Sequence, residues 1–238
     1  MSGFWGLRVW LIAAALAVSS AAWAANPYYI APAQADLADI LAPPPAPGSP
    51  EAKADLRAVL AAVKSRTDAQ IKHARDDDHK IVFRFADVMG PNFRPENLPF
   101  TAQFFQHVYE DGNVIVDTTK AHFQRQRPFV VDPAIKIIVV QKPDYSYPSN
   151  HSTFAYEAAI LLAMMVPEKR AALFERAADY GHNRVIAGVH FPTDIEGGRI
   201  TGSVIDNTLL HDAHFLADFE RSKAEVRAAL GLQAANSR

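Results

Sequence analysis

The chain of 238 residues contains no cysteine. Disulfide bonds, thiolate catalysis and thiolate metal sites are therefore excluded, and the fold has to be stabilised by packing. A surplus of either charge is also lacking, because 24 basic and 26 acidic side chains give a formal net charge of -2 at pH 7. The basic residues are spread along the chain, so nucleic acid is not an expected partner.

Long apolar runs are scarce, and the first of them has the features of a targeting segment. Met1 to Arg8 carries one positive charge, the apolar run Val9 to Val18 follows, and the small-x-small triplet Ala22-Trp23-Ala24 comes next. These parts predict a signal peptide over residues 1–24, cleaved near Ala24 to give a periplasmic or secreted protein. The run is shorter than the ~20 residues that span a bilayer, so an uncleaved anchor is the weaker alternative and no stable membrane insertion is expected.

A proline-rich arm over residues 25–49 is predicted to precede a single domain over residues 50–238. Proline fixes its own backbone and disfavours helix in the residue before it, so the arm should be extended over the domain or form a flexible lead. Ser49 is a plausible N-cap with Pro50 at the first helical position, and a helix should begin there.

Apolar residues at helical spacing predict an all-α, single-domain bundle. The charged segment Lys72 to Lys80 is expected to be a solvated helix end or loop, and residues 130–147 a connector in which a short strand is left open. The helix from Pro99 should end by Pro128, with Gly112 and Asn113 as a potential break. The later helices are predicted at Ser152 to Met165, Pro167 to Ala187, Pro192 toward His211, and Phe215 to Leu230.

Three cations follow a spacing that suits a tetrahedral anion. Lys120 and Arg127 are seven residues apart, two helical turns, so both can face one side of a continuing helix before Pro128 turns the chain away. Arg184 is a third cation, and a guanidinium binds phosphate oxygens in bidentate fashion. Each residue taken alone is more often an exposed charge, so the interpretation depends on their combination.

His190 and Asp194 are four residues apart, so a carboxylate can reach back to an imidazole if the backbone is helical. Such a carboxylate fixes the tautomer and leaves the other ring nitrogen free as a nucleophile. The alternative is an aspartate that caps a helix beside a structural histidine.

Pro148-Ser149-Asn150-His151 precedes an apolar helix. Backbone N–H groups at this helix start can bind an anion, aided by the helix dipole, and His151 can act as an acid. An ordinary helix start explains Pro148 and Ser149 equally well when this motif is considered alone.

Together, Lys120-x6-Arg127-Pro128, Pro148-Ser149-Asn150-His151 and Asn183-Arg184-x5-His190-x3-Asp194 resemble the signature of the phosphatidic-acid-phosphatase type 2 (PAP2) and vanadium haloperoxidase superfamily. Within it the chain most resembles the bacterial class A non-specific acid phosphatases. The proline-rich Leu41 to Gly48, Tyr180-Gly181 and Gly202-Ser203 also look like that family, so the likeness covers nearly the whole mature chain.

The resemblance implies an α-helical bundle that hydrolyses small-molecule phosphate monoesters with no metal and no cofactor. His190 would attack phosphorus to give a phosphohistidine, Asp194 would orient it, and His151 would protonate the leaving alcohol and later activate water. The phosphate-binding residues would be Lys120, Arg127, Arg184, Ser149 and Asn150, the last through its backbone amide.

Two alternatives are a vanadate-dependent haloperoxidase, because the same residues can hold vanadate, and a non-catalytic phosphate-binding protein. A homo-oligomer is also left open. The chain departs from the family at Asn150, where Gly is usual, and at Asn183, where Ser is usual. Asn150 is expected to alter substrate range or rate, and Asn183 to replace the hydrogen bond of a serine.

Overall fold

The computed structural model describes residues 27–233, and the predicted signal peptide lies outside them. The described residues form helices and loops with no strand among them, so the all-α prediction is confirmed and the strand left open in residues 130–147 is absent. No helix in this range combines the length and apolarity needed to cross a bilayer. The α-helices are α1 (Leu37–Ile40), α2 (Pro50–Ser65), α3 (Asp68–Asp76), α4 (Ala86–Met89), α5 (Pro99–Phe123), α6 (Pro128–Val131), α7 (Asn150–Met165), α8 (Arg170–Ile186), α9 (Pro192–Leu209) and α10 (Ala213–Ala229), with 3-10 turns at Pro32–Gln34, Val82–Phe85 and Pro167–Lys169.

Helix α7 lies at the centre of the bundle, packed between α8 and α9. It is buried on nearly every side, which explains why its apolar run lacks a polar stripe. Small residues permit the close approach of α9: a Cβ at Gly198 would lie 2.5 Å from the carbonyl oxygen of Ser149. The N-terminal ends of α7 and α9 are therefore held side by side.

The proline-rich arm lies over the domain, which was one of its two predicted forms. Ile30 and Leu37 are buried in the main apolar core. The Asp111 carboxylate on α5 accepts hydrogen bonds from the backbone N–H groups of Tyr28, Tyr29 and Ile30 at 2.8, 2.6 and 3.0 Å. These bonds satisfy donors that would otherwise lack partners and fasten the arm to α5.

Helix α2 begins as predicted, with Ser49 Oγ accepting from the Ala52 N–H at 3.1 Å and Pro50 at the first helical position. Helix α5 begins at Pro99 and ends before Pro128, as predicted. It runs unbroken through Gly112 and ends at Phe123, where Gln124 adopts a left-handed conformation with φ 52°.

Lys120 and Arg127 consequently do not share one face of a continuing helix, and that prediction was wrong. Arg127 has an extended backbone (φ -74°, ψ 154°) immediately before the short helix α6. The left-handed residue after α5 redirects the chain, and tertiary contacts rather than helical periodicity place the Arg127 side chain.

The prediction of a solvated segment from Lys72 to Lys80 was wrong for its centre. Asp77 is fully buried and accepts from Arg176 Nη1 and Nη2 at 2.9 and 2.6 Å, and from Arg84 Nε at 3.0 Å. The two guanidinium groups offset the desolvation of the carboxylate and hold its pKa below the usual value. This ion cluster anchors the loop after α3 against α8.

Candidate active site

The three sequence clusters meet where α7 and α9 begin. The Ser149 N–H donates to the carbonyl oxygen of Asp194 at 3.0 Å, which joins the two helix starts. Arg127 Nη1 lies 3.0 Å from His190 Nε2, which brings the loop after α5 to the same place. The structure thus brings together residues that are far apart in the chain.

His190 lies between a carboxylate and a guanidinium. Its Nδ1 is 3.3 Å from Asp194 Oδ2, while Nε2 faces Arg127. The same Asp194 oxygen accepts from the Phe191 N–H at 2.8 Å, so Asp194 caps α9 and contacts the imidazole at once, and the two sequence-based alternatives coexist. Burial, then Arg127 and Lys120, lowers the pKa of His190 well below its usual value, which keeps the ring neutral.

Behind Asp194 is an ion network that sequence reasoning missed. Arg125 Nη1 donates to Asp194 Oδ1 at 2.6 Å and to Thr193 Oγ1 at 2.7 Å, and Arg125 Nη2 donates to Asp55 Oδ2 at 2.7 Å. The Thr193 hydroxyl also donates to Asp55. Asp55 comes from α2, 70 residues before Arg125, so no local spacing could have indicated this support.

Two of the predicted cations, Lys120 and Arg127, are buried and hydrogen-bonded. Lys120 Nζ donates to the carbonyl oxygen of Tyr145 at 2.9 Å, and burial, then Arg127, lowers its pKa to about 7. Arg127 donates through Nε to Asp144 Oδ1 at 2.6 Å and through Nη1 to the carbonyl oxygen of Val189 at 2.9 Å. Asp144 is half-exposed, so this carboxylate can yield to an anionic ligand.

Arg184 is the third cation and is fully buried. Its Nη1 lies 2.9 Å from Asp78 Oδ1, but none of its three nitrogens makes a well-aligned hydrogen bond within the described residues. Unsatisfied N–H groups of a buried guanidinium are costly, so this side chain strongly favours an anion that could fill its donor positions.

His151 lies close to Asp78, the residue that Arg184 also contacts. His151 Nε2 is 3.1 Å from the carbonyl oxygen of Asp78 and 3.7 Å from Asp78 Oδ1. Because a carbonyl oxygen only accepts, Nε2 carries the proton in this arrangement. Burial, then Arg184 and Lys80, lowers the pKa of His151 well below its usual value. Asp78 and Lys80 were missed because their segment was assigned to solvent.

Ser149 and Asn150 form the start of α7. Ser149 Oγ accepts from the Ser152 N–H at 3.3 Å, as an N-cap does. Asn150 Nδ2 donates to Asn113 Oδ1 on α5, which draws this amide toward α5. Asn183 donates through Nδ2 to buried Asp77 at 2.9 Å, so its amide serves the ion cluster beside the site.

One group of potential metal ligands lies elsewhere in the described residues. Atoms of His73, Asp77 and Asp179 lie within 4.8 Å of one another. Arg176 Nη1 contacts both carboxylates, at 2.9 and 3.4 Å, and already supplies the positive charge that a cation would bring. These residues therefore fit a guanidinium better than a metal ion.

Two buried imidazoles and three cations lie close together in this helical bundle, and this arrangement of charge suits an anion. Residues 107–217 match the PAP2 superfamily. This match agrees with the resemblance that the three motifs predicted.

Two curated relatives extend the likeness beyond the motifs. The chain is 28% identical over 198 residues to the non-specific acid phosphatase of Salmonella typhi, covering 79% of this chain and 77% of the relative. It is also 28% identical over 199 residues to an acid phosphatase of Zymomonas mobilis, covering 79% and 75%. These relatives support the predicted enzyme class, a phosphatase.

The crystal structure of a bacterial vanadium-dependent iodoperoxidase superposes with a TM-score of 0.57 and 18% identity, covering 76% of this chain and 54% of that one. At this identity the superposition shows a shared all-α fold. The roles of individual side chains stay predictions.

Proposed function

We propose that this protein hydrolyses phosphate monoesters through a phosphohistidine. The observation that carries the proposal is the His190 ring held between Asp194 and Arg127, with Nε2 facing Arg127, in surroundings that lower the pKa of the ring. His190 Nε2 attacks phosphorus, the P–O bond of the ester breaks, and His151 gives its proton to the leaving alkoxide. Water then loses a proton to His151 and its oxygen attacks phosphorus; the P–N bond to His190 breaks, which releases phosphate and restores both rings.

The charge that develops on the transferring phosphoryl group is stabilised by Lys120, Arg127 and Arg184. The N–H groups of Arg184 that lack aligned partners support this assignment. Ser149 and the Asn150 backbone N–H, at the start of α7, donate further hydrogen bonds to the phosphate. Three protein cations occupy the place that a divalent ion takes in metal-dependent phosphatases, so the proposed reaction is metal-independent.

Acidic conditions favour this mechanism. Burial, then Arg184, lowers the pKa of His151, which favours the neutral ring, and a neutral ring is a poor acid. A bound phosphate dianion offsets the neighbouring positive charge and raises that pKa, which couples protonation of His151 to substrate binding. We therefore expect kcat/KM to fall as the pH rises through neutrality.

The test is hydrolysis of p-nitrophenyl phosphate between pH 4 and 8, with and without EDTA, by the mature protein and by His190→Ala. Loss of one reacting group should lower kcat by about a thousandfold or more. His182→Ala, an exposed histidine on α8, is the matched control and should keep full activity. Alkaline quenching with 32P-labelled substrate should trap phosphohistidine in the wild type alone.

Full activity of His190→Ala would reject the mechanism. Bromide oxidation by peroxide and vanadate, without phosphate release, would indicate the haloperoxidase instead, and phosphate binding without turnover would indicate a non-catalytic protein. Chelator resistance together with vanadate inhibition would distinguish this site from a metallophosphatase.

We also propose a periplasmic or secreted location, supported by the sequence of residues 1–24. Fractionation of cells that express the full chain should find the cleaved protein outside the cytoplasm. Retention of the uncleaved chain in the cytoplasm would reject this location.

A further inference from the structure

The chemistry proposed above, on which this inference rests, fixes where the leaving group has to lie. His151 donates its proton to the leaving oxygen, so the rest of the leaving group is bound by residues next to His151. One neighbour is Asn150, and the other is the loop of Asp78, whose carbonyl oxygen is 3.1 Å from His151 Nε2. Lys80 follows Asp78 by two residues.

A chain of contacts joins these two neighbours. Lys80 Nζ lies 5.3 Å from the centroid of the Tyr109 ring, over its face. The Tyr109 hydroxyl donates to Asn113 Oδ1 at 3.4 Å, and Asn150 Nδ2 donates to the same oxygen. We call Lys80, Tyr109, Asn113 and Asn150 the leaving-group wall.

Lys80 brings a positive charge that the scissile phosphate does not require. The side chain is partly buried and forms no ion pair within residues 27–233. Burial lowers its pKa, the nearby Arg184 lowers it further, and Asp78 and Asp117 act in the opposite direction. Asp117 is an opposing carboxylate near the same wall, but its Oδ2 accepts from Asn113 Nδ2 at 3.1 Å.

We propose that Lys80 binds a second anionic group of the substrate, a carboxylate or another phosphate located one or two atoms beyond the scissile ester. The enzyme then selects phosphorylated hydroxy acids and diphosphates over esters of neutral alcohols. Tyr109 shields one side of the ammonium group from water, and a shielded ammonium binds an anion more strongly than a solvated one.

A matched pair of substrates isolates this second charge. 2-Phosphoglycolate and 2-hydroxyethyl phosphate have nearly the same size, but the first ends in a carboxylate and the second in a hydroxymethyl group. Inorganic diphosphate tests a phosphate as the second anionic group. Lys80→Met should lower kcat/KM for the two charged substrates about ten- to a hundredfold, the value of one charge-assisted hydrogen bond, and change it less than about threefold for 2-hydroxyethyl phosphate.

Two further variants serve as controls. Lys80→Arg should restore the preference for the charged substrates, since it returns the cation. Lys223→Met, which removes a lysine from α10 that pairs with Glu220 at 3.3 Å, should leave every rate unchanged.

An equal loss for charged and neutral substrates in Lys80→Met would mean that Lys80 serves the scissile phosphate, and the proposal would be wrong. The proposal would also be overturned if wild type and Lys80→Met had the same ratio of kcat/KM for 2-phosphoglycolate to kcat/KM for 2-hydroxyethyl phosphate. Absence of turnover by the wild type would reject the proposed function instead. In that case, calorimetry with His190→Ala still tests Lys80, because 2-phosphoglycolate should bind more tightly than 2-hydroxyethyl phosphate and Lys80→Met should remove the difference.

Discussion

A buried carboxyl pair leads to a sharp prediction about stability. Glu157 on α7 and Asp206 on α9 are both about 1% exposed, and three of their four carboxyl oxygens have no hydrogen-bond partner in the described part of the chain. A Cβ at Gly112 would lie 2.6 Å from Glu157 Oε1, so the glycine on α5 makes room for this side chain. We predict that Glu157→Gln stabilises the protein, and increasingly so as the pH rises.

The sign follows from the ionisation of the folded and unfolded states. Burial, then Asp111, raises the pKa of Glu157 from 4.5 to about 8, and burial, then Glu157, raises the pKa of Asp206. Below pH 4.5 the group is protonated in both states, so its ionisation does not affect the free energy of unfolding. Between pH 4.5 and 8 only the unfolded state loses the proton, so stability falls by about 1.4 kcal/mol per pH unit. Integration from pH 5 to 8 gives a loss of roughly 3 to 4 kcal/mol that glutamine avoids.

The assay is urea denaturation at pH 5, 6, 7 and 8, with the free energy of unfolding compared between variant and wild type. The difference should be below about 1 kcal/mol at pH 5 and reach roughly 4 kcal/mol at pH 8. Glu175→Gln, an exposed glutamate on α8, is the control and should show no such trend. A difference that does not change with pH would refute the reasoning, since it would show that Glu157 ionises equally in both states.

Three more predictions concern the site. Asn113→Ala removes the hydrogen bond that holds the Asn150 side-chain amide, so the amide can approach the anion and the inhibition constant of inorganic phosphate should rise. Adding Asn150→Gly should restore the wild-type inhibition constant. Failure of the double variant to restore it would show that Asn113 does not act by holding Asn150 away from the anion. Because the pKa of Lys120 is lowered to about 7, the inhibition constant of inorganic phosphate should rise by up to about tenfold per pH unit above pH 7. The rise should be far smaller in Lys120→Arg. The same pH dependence of the inhibition constant in wild type and variant would refute this. Gly198→Ala places a methyl group 2.5 Å from the Ser149 carbonyl oxygen and should cost roughly 1 to 3 kcal/mol in urea denaturation and lower kcat, whereas an unchanged midpoint would argue against tight packing of α7 and α9.

Local signals explain which parts of the fold were predictable. Ser49 and Pro50 start α2 as expected, and Gly231, with φ 66°, follows α10 where a helix should stop. Such signals involve residues that are adjacent or nearly adjacent in the chain, so they can be recognised from the sequence. Gln124 is the exception: a left-handed glutamine has no clear sequence signature, and the helix was therefore wrongly expected to continue to Arg127.

Sequence by itself determined the α-helical class, the resemblance to a known superfamily and the list of candidate site residues, because capping, apolar periodicity and motif spacing are short-range properties. Only the tertiary structure decided which charges are buried. Asp77, Glu157 and Arg125 look like ordinary surface residues in the chain, yet each is removed from solvent by a partner helix from a distant segment. The cost of desolvating a charge depends on the partners that surround it, and those partners are fixed by packing across the bundle.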